Sequence, residues 1–118
     1  MARNRMIKTD FWEDEKITAV SRDARLTFIA MWNFSDDKGV VRGKAIWLKN
    51  RVYPYDEDIP LNVFIDWLDE LESIKVIIPF KSHCENYFYI VNFLKHQKIN
   101  RPSTWSNPPP PEELTIFT

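Results

Sequence analysis

The run IPLNVFIDWLDELESIKVIIPFKSHCENYFYIV, residues 59–91, decides the fold. Its first half carries Leu61, Phe64, Ile65, Leu68, Leu71 and Ile74 at steps of 3, 1, 3, 3 and 3. That spacing is a 3.6-residue apolar stripe and predicts a helix over 60–74. Pro60 suits a first helical turn and Asp58 is a candidate cap. Asn62, Asp66, Asp69, Glu70 and Ser73 fall on the opposite face. The second half changes period. VIIPF and YFYIV flank the polar KSHCEN, which predicts two antiparallel strands around a turn at 81–86. Pro79 donates no ladder hydrogen bond, so its strand belongs at an edge or at a bulge.

Working back towards the N-terminus, KAIWLKNRV predicts a helix over 44–52, stopped by Pro54. VVRG is short and β-branched and reads as a brief strand. Before it, SDDKG is a turn in which Gly39 supplies a left-handed residue. Residues 21–36 read as a largely buried helix with Ser21 as N-cap and Asp23 in its first turn. Residues 10–20 read as one opening helix, capped by Asp10, with Trp12, Ile17 and Val20 inward. Beyond the hairpin, PSTWSNPPPPEE is read as neither helix nor central strand. Pro108–Pro111 favour an extended polyproline II tail.

The fold class expected is α+β, mostly α: a winged helix-turn-helix with an extra N-terminal helix and a two- to three-stranded antiparallel wing sheet. It is placed at 1–101, and 102–118 is a Pro-rich extended tail or linker. A chain of 118 residues suits one domain. The one cysteine allows no internal disulfide, and His83, Cys84 and His96 lack metal-site spacing. No apolar run approaches the roughly 20 residues that span a bilayer. MARNRMIK is not read as a signal peptide, because no hydrophobic segment follows it. Only two glycines are present, so no glycine-rich phosphate cradle exists, and no nucleophile–base spacing stands out. The reading is of a non-enzyme with no cofactor.

The charge distribution is more telling than the net charge of −1. Lys38, Arg42, Lys44, Lys49 and Arg51 form a segment without acids. Asp56, Glu57, Asp58, Asp66, Asp69, Glu70 and Glu72 form one without bases. Arg3, Arg5 and Lys8 make the N-terminus basic, and Lys95, His96, Lys98 and Arg101 do the same for the exit from the hairpin. Blocks of this kind predict a positive side and a negative side.

Several segments carry a resemblance when taken in order: MARNRMIK, FWEDEKI, SRDARLTFIAMW, DDKGVVRG, YPYDED, WLDELESIKVI and NFLKHQKINRP. Together they resemble the N-terminal domain of phage and prophage replication proteins of the DnaD-like replisome organiser group. The resemblance covers Met1 to about Pro111, and DDKGVVRG and KHQKINRP carry most of it. It implies a winged helix, a bacterial host cytoplasm, and a role in initiating or organising DNA replication. Such proteins often carry a further C-terminal region that meets the helicase-loading machinery.

Two functional classes follow. The first is DNA binding, double- or single-stranded. The helix at 60–74 has no Lys or Arg, so phosphate contacts fall to other elements. The candidates are Arg3, Arg5, Lys8, Arg42, Lys44, Lys49, Arg51, Lys81, Lys95, His96, Lys98 and Arg101. Trp47, Tyr53, Tyr55, Phe93 and Trp105 lie near them in sequence. The second is an interaction module, in which Asn62, Asp66, Asp69 and Glu70 dock a partner: a second copy, or a replication protein such as a helicase loader. No membrane partner is expected.

Overall fold

A computed structural model describes residues 2–115. It contains seven helices and one three-stranded antiparallel sheet among those residues. Helices α1 (Asp10–Glu13) and α2 (Glu15–Thr18) open the chain. Helix α3 (Arg22–Phe34), strand β1 (Val40–Arg42) and helices α4 (Ala45–Val52) and α5 (Leu61–Ser73) follow. Strands β2 (Ile77–Ser82) and β3 (Glu85–Ile90) form a hairpin, and the short helices α6 (Phe93–His96) and α7 (Glu112–Thr115) complete the order.

The central helix begins as its sequence predicts. Ser21 sits in extended backbone and its side chain accepts from Ala24 N. The opening helix differs from expectation. Asp14 adopts an extended conformation, ends α1, and caps α2 by accepting from Lys16 N. An aspartate offers its own backbone this alternative to a helix interior. The break leaves Ile17 and Val20 buried but Trp12 56% exposed, against the inward position expected for it. Thr9, not Asp10, takes the first N-cap position, without a side-chain bond. In α5 the cap is Pro60, also without one, so Asp58 does not serve there. After the prolines, Glu112 starts a single helical turn in a region read as non-helical.

Helices α3, α4 and α5 pack against one another. The sheet order is β1-β3-β2, so Pro79 lies on an edge strand. Val41 pairs with Phe88, and Ile90 with Ile77; all four belong to the main core with Met31, Leu48, Phe64 and Leu71. Tyr53 stands between α3 and α5, its hydroxyl 2.9 Å from Thr27 Oγ1 and its ring edge-on to Phe64. Burial pushes the Tyr53 phenol up, and the charges of Asp23 and Asp56 add to this against the Thr27 hydrogen bond. The hairpin turns through His83 and Cys84, both at positive φ (52° and 67°). A two-residue turn needs that geometry, and these residues adopt it less readily than Asn-Gly.

The second face of the sheet is apolar too. Val40, Phe80 and Tyr89 form a smaller buried cluster, with Leu114 packed against it. The chain after Arg101 returns to this side. Ser103 N donates to Asp37 Oδ2, Asn107 N to Asp36 Oδ2, and Asn107 Nδ2 to Val40 O. The proline-rich segment is thus tied to the loop before β1. No helix among the described residues is long and apolar enough to cross a membrane.

Candidate nucleic-acid interface

Strand β1 ends at Arg42, and α4 places Trp47 and Arg51 four residues apart, on one side of the helix. The Arg42 and Arg51 guanidinium carbons lie 5.0 and 5.3 Å from the Trp47 ring centroid. Both are cation–π distances, and the contacts hold two cations on one half-buried indole. Trp47 in turn packs against the main core, which fixes its position. Phe34, Ala2 and Trp105 complete a groove of about 320 Å³ with these three residues.

Trp105 reaches the groove through the Asp36–Asp37 corner. The end of α3 delivers both carboxylates to the interior, where each is less than 10% exposed. Asp36 Oδ1 accepts from Lys38 N and Val40 N, which shapes the DDKG turn. Gly39 adopts φ +89° there, and a Cβ at that position would sit 2.6 Å from Phe93 Cβ. Asp37 holds the Ser103 N–H, and Ser103 Oγ accepts from Trp105 N. Burial pushes the Asp37 carboxyl up, but the Ser103 N–H, the Arg5 hydrogen bond and the charges of Arg3 and Arg5 together hold it below its usual value.

The basic residues divide into two groups. Arg42, Lys44, Arg51, Lys81, Lys8, Lys95, His96, Lys98 and Arg101 are exposed, and Lys49 is half-buried. Arg5 is a correction to the expected set. Its side chain is 4% exposed and ion-paired to Asp37 at 3.0 Å. It also donates to the carbonyls of Trp32, Ser35 and Asp36 and lies over the Phe93 ring. It closes the C-terminal end of α3, where a cation is favoured by the orphan carbonyls. Arg3 is largely committed in the same way, to Asp37 at 2.6 Å and to the Arg101 carbonyl at 2.8 Å.

These bonds bring two of the basic segments side by side. Gln97, which is buried, exchanges hydrogen bonds with Met6 through Oε1 and Nε2. Lys8 Nζ donates to the Lys95 carbonyl. The N-terminal segment therefore runs beside residues 95–101 while its start, Ala2, lines the Trp47 groove. On α5, Asn62, Asp66 and Asp69 are exposed. Glu70 is the second correction: it accepts from Ser21 N and Ser21 Oγ, both at 2.8 Å, and ties α5 to the start of α3. Burial, and then the charge of Asp69, raise the Glu72 carboxyl.

The Asp36–Asp37 corner was hidden in a motif that reads as a turn. A clue was present: two adjacent carboxylates just after a buried helix need cationic or N–H partners. No family model, curated protein or solved structure matches this chain.

Proposed function

We propose that this chain is a winged-helix protein of phage or prophage DNA replication that binds DNA through its basic elements. The order α3–β1–α4–α5–β2–β3, with β1 beside β3, supports the winged-helix reading. The observation that carries the binding reading is the pair of guanidiniums on Trp47, facing a groove that Trp105 shares. Arg42 and Arg51 supply phosphate contacts there, with Lys44 and Lys49 alongside. Lys95, Lys98 and Arg101 extend the contact along the neighbouring segment. Trp105 is half-buried and lines the groove, where its ring offers a stacking surface for an unpaired base, worth about 1–3 kcal/mol per base. Helix α5 reads no groove in this scheme, because its exposed Asp66 and Asp69 repel phosphates.

A titration of the full chain with labelled duplex and single-stranded DNA at two salt concentrations tests this. Affinity falls with salt at a log–log slope of about −0.9 per duplex phosphate neutralised and about −0.7 on single strands. Absence of binding at low salt would overturn the proposal.

A second reading, docking of a protein partner by α5, rests on Leu61 and Ile65. Both are more than a third exposed on the same helix as Asn62, Asp66 and Asp69. An apolar pair beside carboxylates suits a basic protein surface better than DNA. Sedimentation across concentrations tests the case in which the partner is a second copy.

A further inference from the structure

The groove beside Trp47 is lined by cations and aromatic rings and by no anion: Ala2, Phe34, Arg42, Trp47, Arg51 and Trp105. Among the described residues no carboxylate lies within 4.0 Å of the Arg42 or Arg51 guanidinium, whereas Arg3 and Arg5 are both committed to Asp37. The Trp47 ring is taken by the two guanidiniums, at 5.0 and 5.3 Å. Trp105 and Phe34, both half-buried, are therefore the aromatic walls left for an occupant. The groove volume of about 320 Å³ is roughly twice that of an apolar cavity that accommodates benzene, which gives room for one flat heterocycle and its sugar.

The walls are tied in place by the fold. Trp47 packs against the main core. Phe34 ends α3, and the residue before it holds the N-terminus. Arg3 N donates to the Asn33 carbonyl at 2.9 Å, and Asn33 Nδ2 donates to the Arg3 carbonyl at 2.7 Å, which fixes the chain next to Ala2. Trp105 is held separately. Asp37 Oδ2 accepts from Ser103 N at 2.7 Å, and Ser103 Oγ accepts from Trp105 N at 3.1 Å. Walls formed in advance spare an occupant the cost of ordering them.

Aromatic walls suit a flat ring, and guanidiniums beside them suit phosphates, so the arrangement fits one nucleotide of a strand. A paired base does not reach such a groove unaided. It must first leave its stack, and flipping it out costs about as much as one aromatic stacking contact returns. A base that is already unpaired has no such cost. We propose that the groove selects single-stranded over duplex DNA, by taking one unpaired base against Trp105 with its neighbouring phosphates on Arg42 and Arg51. The selection rests on the DNA binding proposed above, and adds to it the strand form and the residue that discriminates. Duplex meets the same arginines through its phosphates alone.

The test is a fluorescence-anisotropy titration of the full chain at low salt with three labelled probes of one length: oligothymidine, an abasic single strand with the same phosphates, and a duplex. Charge alone favours the duplex, which carries twice the phosphates. The expected result is the reverse, with oligothymidine bound about tenfold more tightly than either of the other two. Trp105→Ala removes that advantage, and Trp105→Phe, which keeps an aromatic wall, retains most of it. Urea midpoints establish that both variants are folded. The comparison of oligothymidine with the abasic strand needs no variant and decides the matter in the parent protein. Oligothymidine no tighter than the abasic strand, a duplex at least as tight as oligothymidine, or the full advantage kept in Trp105→Ala would overturn the strand selection and leave DNA binding through the cations standing. Absence of binding to all three probes would overturn the DNA reading itself, and the selection with it.

Discussion

Arg5 crosses 32 positions of sequence to place Nη1 3.0 Å from Asp37 Oδ1, inside the fold. The other Asp37 oxygen receives Arg3 and the Ser103 N–H. One carboxylate thus ties together the N-terminal segment, the end of α3 and the chain entering the proline run. Replacing Asp37 by Ala leaves the Arg5 guanidinium buried without its counter-ion. The expected loss is about 3–5 kcal/mol, the range for breaking one side of a buried pair. Urea denaturation measures it. The released segment gives a second readout: hydrogen exchange at Ser103 and Asn107 rises more than at Phe88 in the sheet.

Acid acts on the same tie. The folded Asp37 carboxyl titrates below its ordinary value near 3.8. A group lowered by folding stabilises the folded state above its unfolded pKa, and that contribution disappears as pH falls through the folded value. Stability therefore declines below about pH 4 more steeply in the parent than in Asp37→Asn, which has no carboxyl to protonate. Thermal melts at closely spaced pH values check this; parallel acid limbs in the two proteins would contradict it.

Gly39 has the opposite role, since it works by having no side chain. At φ +89° an alanine is strained, and its Cβ meets Phe93 at 2.6 Å and the Ile90 carbonyl at 3.3 Å. The first contact is to the chain that follows β3 and the second to the last residue of β3 itself. Gly39→Ala is expected to cost about 2–4 kcal/mol from the backbone strain and overpacking together. Equilibrium unfolding tests it, and a loss below about 0.5 kcal/mol, the level of an ordinary surface substitution, would show that the corner relaxes freely.

What was legible in the sequence was local. The stripe from Leu61 to Ile74 and the alternation on either side of KSHCEN report short-range periodicities, so α5 and the hairpin stand where expected. The Ser21 cap and the left-handed Gly39 are likewise set by their own residues. Long-range choices were not legible. Glu70 lies on the polar face of its helix, and nothing nearby in sequence says that it reaches Ser21, 49 positions away. Arg3 and Arg5 read as surface cations, because the two carboxylates that hold them arrive from a distant turn. Composition marks residues 102–111 as extended but not as hydrogen-bonded to that turn. The break at Asp14 is the local exception, where one side-chain hydrogen bond outweighed a continuous helical pattern.

Charge substitutions separate the basic groove from α5. Arg42→Ala with Arg51→Ala removes both cations held on Trp47. Duplex affinity should fall at least tenfold, and the log–log salt slope should shrink by about 1.8, two phosphates at about 0.9 each. Asp66→Lys with Asp69→Lys changes the exposed face of α5 and touches no hydrogen bond to either carboxylate among the described residues. If DNA lies along the groove, this double reversal alters duplex affinity by less than about threefold, the residue of long-range attraction after screening over a Debye length of about 8–10 Å. An increase of tenfold or more would put α5 against the phosphates and would reassign the interface to the helix whose acidic face argued against it. Anisotropy titrations at matched salt measure both pairs, and an unchanged urea midpoint of the arginine double variant shows that the fold itself remains intact.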